Sequence, residues 1–271
     1  MNVFPGTTIV ASQRAILDMQ VCDFGWADAF AFADSIASLP IGQTVISFLN
    51  AHNANLMMHD PEYRAVLNRQ IVLPDGYGMD LASMLFHGKA FPANLNGTDF
   101  VPALMTYMTT PRRIAMVGAR SDVLKRAAEN FQKHAPWHQF IPVSDGFFDP
   151  EQSDNVMAMV RAVRPDILLI AMGSPKQEKW IDRHVGPGHA RLVLSVGALF
   201  DFMAEEVPRA SVSMRRLRLE WLHRLVVEPR RLWRRYILGN PLFIYYVLRH
   251  KLKGREGSSP VDGHHAGSQS F

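Results

Sequence analysis

Short apolar runs that each stop at a turn signal and give way to a helical pattern recur over about two hundred residues of this chain, which narrows the folds open to it. Thr44 to Leu49, Ile71 to Leu73, Arg113 to Gly118, Phe140 to Val143, Pro165 to Gly173 and Arg191 to Val196 read as strands. Helices are predicted over Ala54 to His59, Pro61 to Leu67 with Asp60 as cap, Met79 to Phe86, and from a Thr98 cap through Met108. Further helices are predicted over Asp122 to His134, over Glu151 to Val163, and after Ser174, read as an N-cap with Pro175 at the first helical position. This alternation argues for an α/β protein with a doubly wound, mostly parallel sheet. The first forty residues say little beyond a short helix from Asp28 to Leu39.

In such a sheet ligands gather outside the C-terminal ends of the strands, and three features fall there. Asp75, in QIVLPDGYGMDLA, follows a short strand at the turn Pro74-Asp75-Gly76 and puts a carboxylate at the crevice mouth. A turn Asp capping the next helix is the plainer reading. Gly118 joins a strand to a helix, where free backbone N–H groups and the helix dipole suit a phosphate; a glycine kept for packing is the alternative. Lys176 and Gln177 lie in the first turn of the helix after Pro165 to Gly173.

The pattern changes at Arg209. Residues 209–253 hold 12 Lys/Arg against Glu220 and Glu228, a net +10, whereas residues 1–208 hold 16 Lys/Arg against 21 Asp/Glu, a net −5. A basic segment on an acidic body calls for an anionic partner. Leu217, Trp221, Leu222, Leu225 and Val226 form an apolar stripe, and Pro229 restarts the helix before Arg230-Arg231-Leu232-Trp233-Arg234-Arg235-Tyr236. If that helix were continuous, Arg224 and Arg231 would share a face. ILGNPLFIYYVL, at 237–248, is short of the ~20 residues a spanning helix needs and suits a segment lying on an anionic membrane; an Arg-rich solvated helix packed on its own domain is the alternative. Residues 1–208 are thus expected to form a body that folds without the rest, 209–253 a basic amphipathic appendage, and 254–271 a disordered tail. Cys22 is the only cysteine and no Cys/His cluster has metal-ligand spacing, so no disulfide framework or structural metal is expected. The N-terminal stretch lacks the basic and apolar regions of a secretory signal.

Longer motifs sharpen this reading: LPDGYGMDLA at 73–82, NGTDFVP at 96–102, RIAMVGA at 113–119, PDILLIAMGSPKQEKW at 165–180, SVGALFDF at 195–202 and RLEWLHRLVVEPRRLWRRY at 218–236. On these the chain resembles the WecG/TagA/CpsF family of bacterial glycosyltransferases, glycosyltransferase family 26, from about Thr44 through Leu248. The resemblance implies a Rossmann-like body that binds a UDP-sugar donor and a C-terminal appendage that completes the site at the anionic inner leaflet. It implies an inverting transfer to a polyprenyl-diphosphate-linked sugar in surface polysaccharide synthesis, by a peripheral protein on the cytoplasmic face of the inner membrane, and leaves room for a homo-oligomer. Asp75 matches the family's proposed base, Gln177 a substrate-contacting residue, and Arg224, Arg231 and Arg234 the phosphate-binding arginines. Asn50 matches the last residue of a Thr-x-Asn pattern whose threonine is Phe48 here, and Asn94 stands about where relatives carry arginine. Both lie near the expected sugar site, so the donor sugar is left as a hexose or N-acetylhexosamine, of the N-acetylmannosamine or glucose type.

The chemistry fits these residue types: a carboxylate deprotonates the acceptor hydroxyl, and positive charge meets the departing diphosphate. No Asp-x-Asp pattern offers a metal anchor, so arginines are expected in that role and no cofactor is. Two other readings are set aside. A nicotinamide or flavin oxidoreductase lacks its G-x-G-x-x-G, and a nucleic-acid-binding module would not carry ILGNPLFIYYVL behind its arginines.

Overall fold

Ile167–Ala171, a strand buried at every position, lies inside a six-stranded sheet in a computed structural model that describes residues 12–208, 210, 214 and 220–256. The strands are β1 (Gln13–Ile16), β2 (Met19–Cys22), β3 (Thr44–Leu49), β4 (Ile71–Pro74), β5 (Arg113–Gly118), β6 (Gln139–Ser144), β7 (Ile167–Ala171) and β8 (Leu192–Ser195). β1 and β2 form a separate antiparallel hairpin. The other six run in the order β4-β3-β8-β7-β5-β6, and every pairing is parallel, so the sheet is parallel throughout.

Both faces of a parallel sheet need cover, and alternate residues show how it is supplied. Ile114, Met116 and Leu169 face a core closed by α1 (Trp26–Ala37), α5 (Gly97–Tyr107) and α6 (Ser121–His134). Ala115, Val117, Leu168 and Ile170 face α7 (Ser153–Val163) and α8 (Lys176–His184). A third core joins the hairpin to Leu49, Val72, α2 (Ala51–His59), α3 (Pro61–Leu67) and α4 (Tyr77–His87).

Asp60 caps α3 with Pro61 at its start, as its sequence predicts. Two other expected caps are displaced. Asn96, not Thr98, caps α5 by accepting the Asp99 N–H at 2.9 Å, and Thr98 donates its hydroxyl to the same Asn96 oxygen. Helix α8 begins after Pro175, and Ser174 instead donates its hydroxyl to Glu178 Oε1 at 2.7 Å.

The hairpin, which local sequence did not announce, is held by a buried arginine. Arg14 Nε and Nη2 pair with Asp23 at 2.9 and 2.8 Å, and Nη1 donates to Ser83 Oγ, Lys89 O and Ala90 O at 2.7, 2.9 and 2.7 Å. The guanidinium also lies 5.1 Å over the Phe91 ring. One side chain therefore ties the hairpin to the end of α4.

Beyond Arg209 the chain forms helices Glu220–Val227 and Pro229–Trp233, a π-helical turn Arg234–Leu238, and helix Gly239–Glu256. The break at Glu228 means that Arg224 and Arg231 do not share one continuous helix. The boundary expected after 208 divides the chain only in part, because Phe243 and Val247 are buried in the third core. Asn55 Nδ2 donates to Gly239 O at 2.7 Å, Tyr246 bonds His59 at 2.8 Å, and His250 lies 3.3 Å from Asp18. The last helix is thus part of the body, and it reaches Glu256, three residues into the expected tail. Residues 257–271 and Leu217 of the apolar stripe lie outside the described residues. Opposite the buried face, Val226, Ile237, Leu238, Tyr245 and Leu252 are more than half exposed. Among the described residues no helix is long and apolar enough to cross a membrane.

Two stability outcomes follow from these contacts. Arg14→Met leaves the largely covered Asp23 carboxylate without its ion-pair partner and is expected to cost about 3 kcal/mol, read from the urea midpoint. A chain ended after Pro208 uncovers the core face that Phe243 and Val247 fill, so it should melt lower than one ended after Glu256; equal melting temperatures would contradict this packing.

Candidate active site

Because all six strands run one way, the residues that follow them share one edge. The chain leaves β3 toward β4 on one side and β5 toward β6 on the other, which opens a crevice over β8 and β7 between them. The appendage roofs one end of it. The result is a cavity of about 1090 Å³ whose wall includes Asn50, His52, Asp75, Asn94, Gln177, Arg224 and Arg235.

Asp75 continues the β4 ladder, its N–H bonded to Leu49 O at 2.8 Å, and its half-buried carboxyl reaches the cavity. Asn50 Nδ2 donates to Asp75 Oδ2 at 2.9 Å. The other half of that amide is spent as the N-cap of α2, where Oδ1 accepts the Asn53 N–H at 3.0 Å, so the cap sets the way the amide faces. Asn94 Oδ1 accepts the Gly76 N–H at 2.7 Å and pins the turn behind Asp75, where Gly76 takes φ +86°. Burial pushes the Asp75 carboxyl above its usual range, and Asp99 adds to this, while Asn50, Arg235 and Arg224 pull the other way.

The guanidinium groups near Asp75 come from the appendage. Arg224, in Glu220–Val227, lies 5.2 Å over the Phe202 ring, and Arg235, in the π-helical turn, acts electrostatically on both Asp75 and His52. Arg234 is not in the wall: it is exposed and stacks on Trp233 at 5.4 Å. Arg235, from the π-helical turn, takes the place in the wall expected of Arg234. The Arg231 side chain lies outside the described residues.

Gln177 is buried and works as a clamp. Its Oε1 accepts the N–H groups of Met172, Gly173 and Gly197 at 3.3, 3.2 and 3.1 Å, joining the ends of β7 and β8, and its Nε2 donates to Glu178 at 2.9 Å. Gly118 does not reach the wall. At φ +130° a Cβ there would overlap the Ala171 carbonyl, and that carbonyl already takes the Ala119 N–H at 2.9 Å. Packing between β5 and β7 accounts for a glycine at 118, while its neighbours Ala119 and Arg120 line the cavity.

Three residues that local pattern did not single out belong to the wall as well: His52, Arg235 and Phe147. Phe147 stands 76% exposed after β6, near Arg120 and Lys176 on the wall. An exposed aromatic in a loop carries no periodicity, and its place on the rim could be found only in three dimensions.

A carboxylate and guanidinium groups thus share one crevice on a doubly wound α/β sheet, an arrangement suited to group transfer. The chain belongs to the glycosyl transferase WecG/TagA/CpsF family, whose model matches residues 14–257. It is similar to the N-acetylglucosaminyldiphosphoundecaprenol N-acetyl-beta-D-mannosaminyltransferase of Bacillus spizizenii, 29% identical over 236 residues, 84% of this chain and 89% of the relative. It is also similar to the protein of the same name from Bacillus subtilis, 31% identical over 211 residues, 76% of this chain and 80% of the relative.

Folding raises the Asp75 pKa, so the native protein holds that proton to higher pH than the unfolded chain does, and stability is lost as pH rises through that interval. Asp75→Asn removes this cost and should raise the melting temperature at pH 7. The gain should vanish below the ordinary carboxylate pKa of about 4, where both states are protonated. A variant that melts lower at pH 7 would show that Asp75 is a structural group.

Proposed function

We propose that the protein transfers a hexose or N-acetylhexosamine, with inversion, from a UDP-sugar to a sugar carried on a polyprenyl diphosphate. The observation that carries this reading is the Asp75 carboxyl, fixed by Asn50 and faced by Arg224 and Arg235 across the cavity. The names of both relatives specify an N-acetylglucosaminyldiphosphoundecaprenol acceptor and an N-acetylmannosaminyl group, which supports the substrate class.

In this mechanism Asp75 takes the proton of the acceptor hydroxyl as its oxygen attacks the anomeric carbon. The bond from that carbon to the diphosphate oxygen breaks, and the electron pair leaves with UDP. Burial lifts the carboxyl toward working pH and makes it a stronger base than a solvated aspartate. Arg224 and Arg235 meet the charge that develops on the diphosphate. The donor lies toward the body, over the floor that Gln177 clamps, with Phe147 positioned to stack on the nucleobase. The acceptor enters from the appendage. Exposed Val226, Ile237, Leu238 and Leu252 together with exposed Arg230, Arg234 and Arg249 fit an anionic lipid surface, which gives Arg234 a headgroup to bind rather than the leaving group.

The test combines purified protein, a short-chain lipid-diphosphate sugar and a panel of UDP-sugars, with product mass as the readout. Asp75→Asn should lower turnover by about 100-fold or more while UDP still binds. Arg235→Ala should cost at least about tenfold on this soluble acceptor, and Arg234→Ala far less; the reverse order would return the leaving-group role to Arg234. Because arginine supplies the positive charge, turnover should persist in EDTA. Loss that Mg²⁺ restores would overturn that assignment.

A further inference from the structure

His52 is not needed by the chemistry above, yet it lines the cavity. It sits in the first turn of α2, two residues after the asparagine that holds Asp75. Its neighbours in that turn are committed to the protein. Asn53 Nδ2 donates to Phe48 O at 2.9 Å, and Ala51 packs close against Gly78. The His52 ring takes part in no hydrogen bond among the described residues, while the field of Arg235 acts on it as well as on Asp75.

Its position marks a particular end of the crevice. Helix α2 leaves the β3 side, and Asn55 on the same helix holds the appendage through Gly239 O. Tyr236 follows Arg235, whose field reaches His52, and its ring centroid lies 5.8 Å from that of Trp221; both line the wall with Asn240. Phe147, Arg120 and Lys176 belong to the opposite, β5–β7 side.

We propose that His52 is an acceptor-recognition residue, hydrogen-bonding a hydroxyl of the terminal sugar of the acceptor while Trp221 and Tyr236 take that sugar's C–H face. This inference rests on the transfer reaction proposed above. Burial, and then Arg235, hold the His52 pKa down to about 4, so the ring is neutral at pH 7. A neutral imidazole gives one hydrogen bond and accepts one, which matches a sugar hydroxyl. A diphosphate calls for cations, and Arg224 and Arg235 already supply them. Aromatic faces with a polar group beside them suit a pyranose, which is apolar on its C–H face and polar at its rim.

The experiment uses the full chain, a UDP-sugar and a short-chain lipid-diphosphate N-acetylglucosamine, so that membrane attachment plays no part. His52→Phe keeps the ring volume and removes the hydrogen bonds. It should raise the acceptor KM about tenfold, the worth of one neutral hydrogen bond, with donor KM and UDP affinity unchanged. His52→Gln, which can still donate and accept, should recover most of that loss. Wild-type turnover with an acceptor KM unmoved by His52→Phe, or a shift confined to donor KM, would overturn this inference alone. A wild type inactive on this acceptor and on other lipid-diphosphate sugars, with every UDP-sugar tried, would overturn the transfer reading and this inference with it.

Discussion

The hydrogen bond from Asn50 to Asp75 is the contact on which the site depends, because it converts the pairing of two strands into the aim of one carboxylate. Parallel β3 and β4 put both residues at the same edge, and the cap of α2 leaves the Asn50 amide only one way to face. The Asn94 bond to Gly76 holds the turn from behind. Each of these contacts is ordinary in strength, but together they hold a group that burial would otherwise favour in its neutral form.

That carboxyl sits in a balance of opposed charges. Burial and Asp99 raise its pKa, and Arg235 and Arg224 lower it. The arginines reach the site from the appendage, so the charge state of Asp75 is linked to the docking of that segment. Docking rests in turn on apolar contact, since Phe243 and Val247 fill a core that the hairpin and α2 share. An appendage held by charge alone would loosen as salt rises, whereas a buried phenylalanine and valine are indifferent to it.

The same segment presents two faces with different partners. Its buried face is integral to the body, and its outer face leaves large apolar side chains exposed beside arginines. Arg234 and Arg235, adjacent in sequence, fall on opposite sides of this division: one stacks outward on Trp233, the other faces the cavity. A single residue of helical phase therefore separates a side chain that suits a lipid headgroup from one that suits the reacting diphosphate.

Much of this architecture is legible in the chain itself. Apolar runs closed by turn residues mark all six sheet strands, and Asp75 at a strand end marks the site, because strand periodicity and turn chemistry are local properties. The hairpin escaped because Arg14, besides bonding Asp23, finds partners about seventy residues away, and the packing reason for Gly118 escaped because the Ala171 carbonyl that excludes a side chain belongs to another strand. Gln177 was placed correctly at a strand edge, but its clamp on Gly197 joins loops that only the sheet order makes neighbours. The sequence by itself determined the six sheet strands, their functional edge and the carboxylate that stands on it. Which arginine turns inward, where His52 and Phe147 come to rest, and that the last helix belongs to the core were decided by tertiary packing, because helical phase and long-range contact depend on residues that local pattern does not bring together.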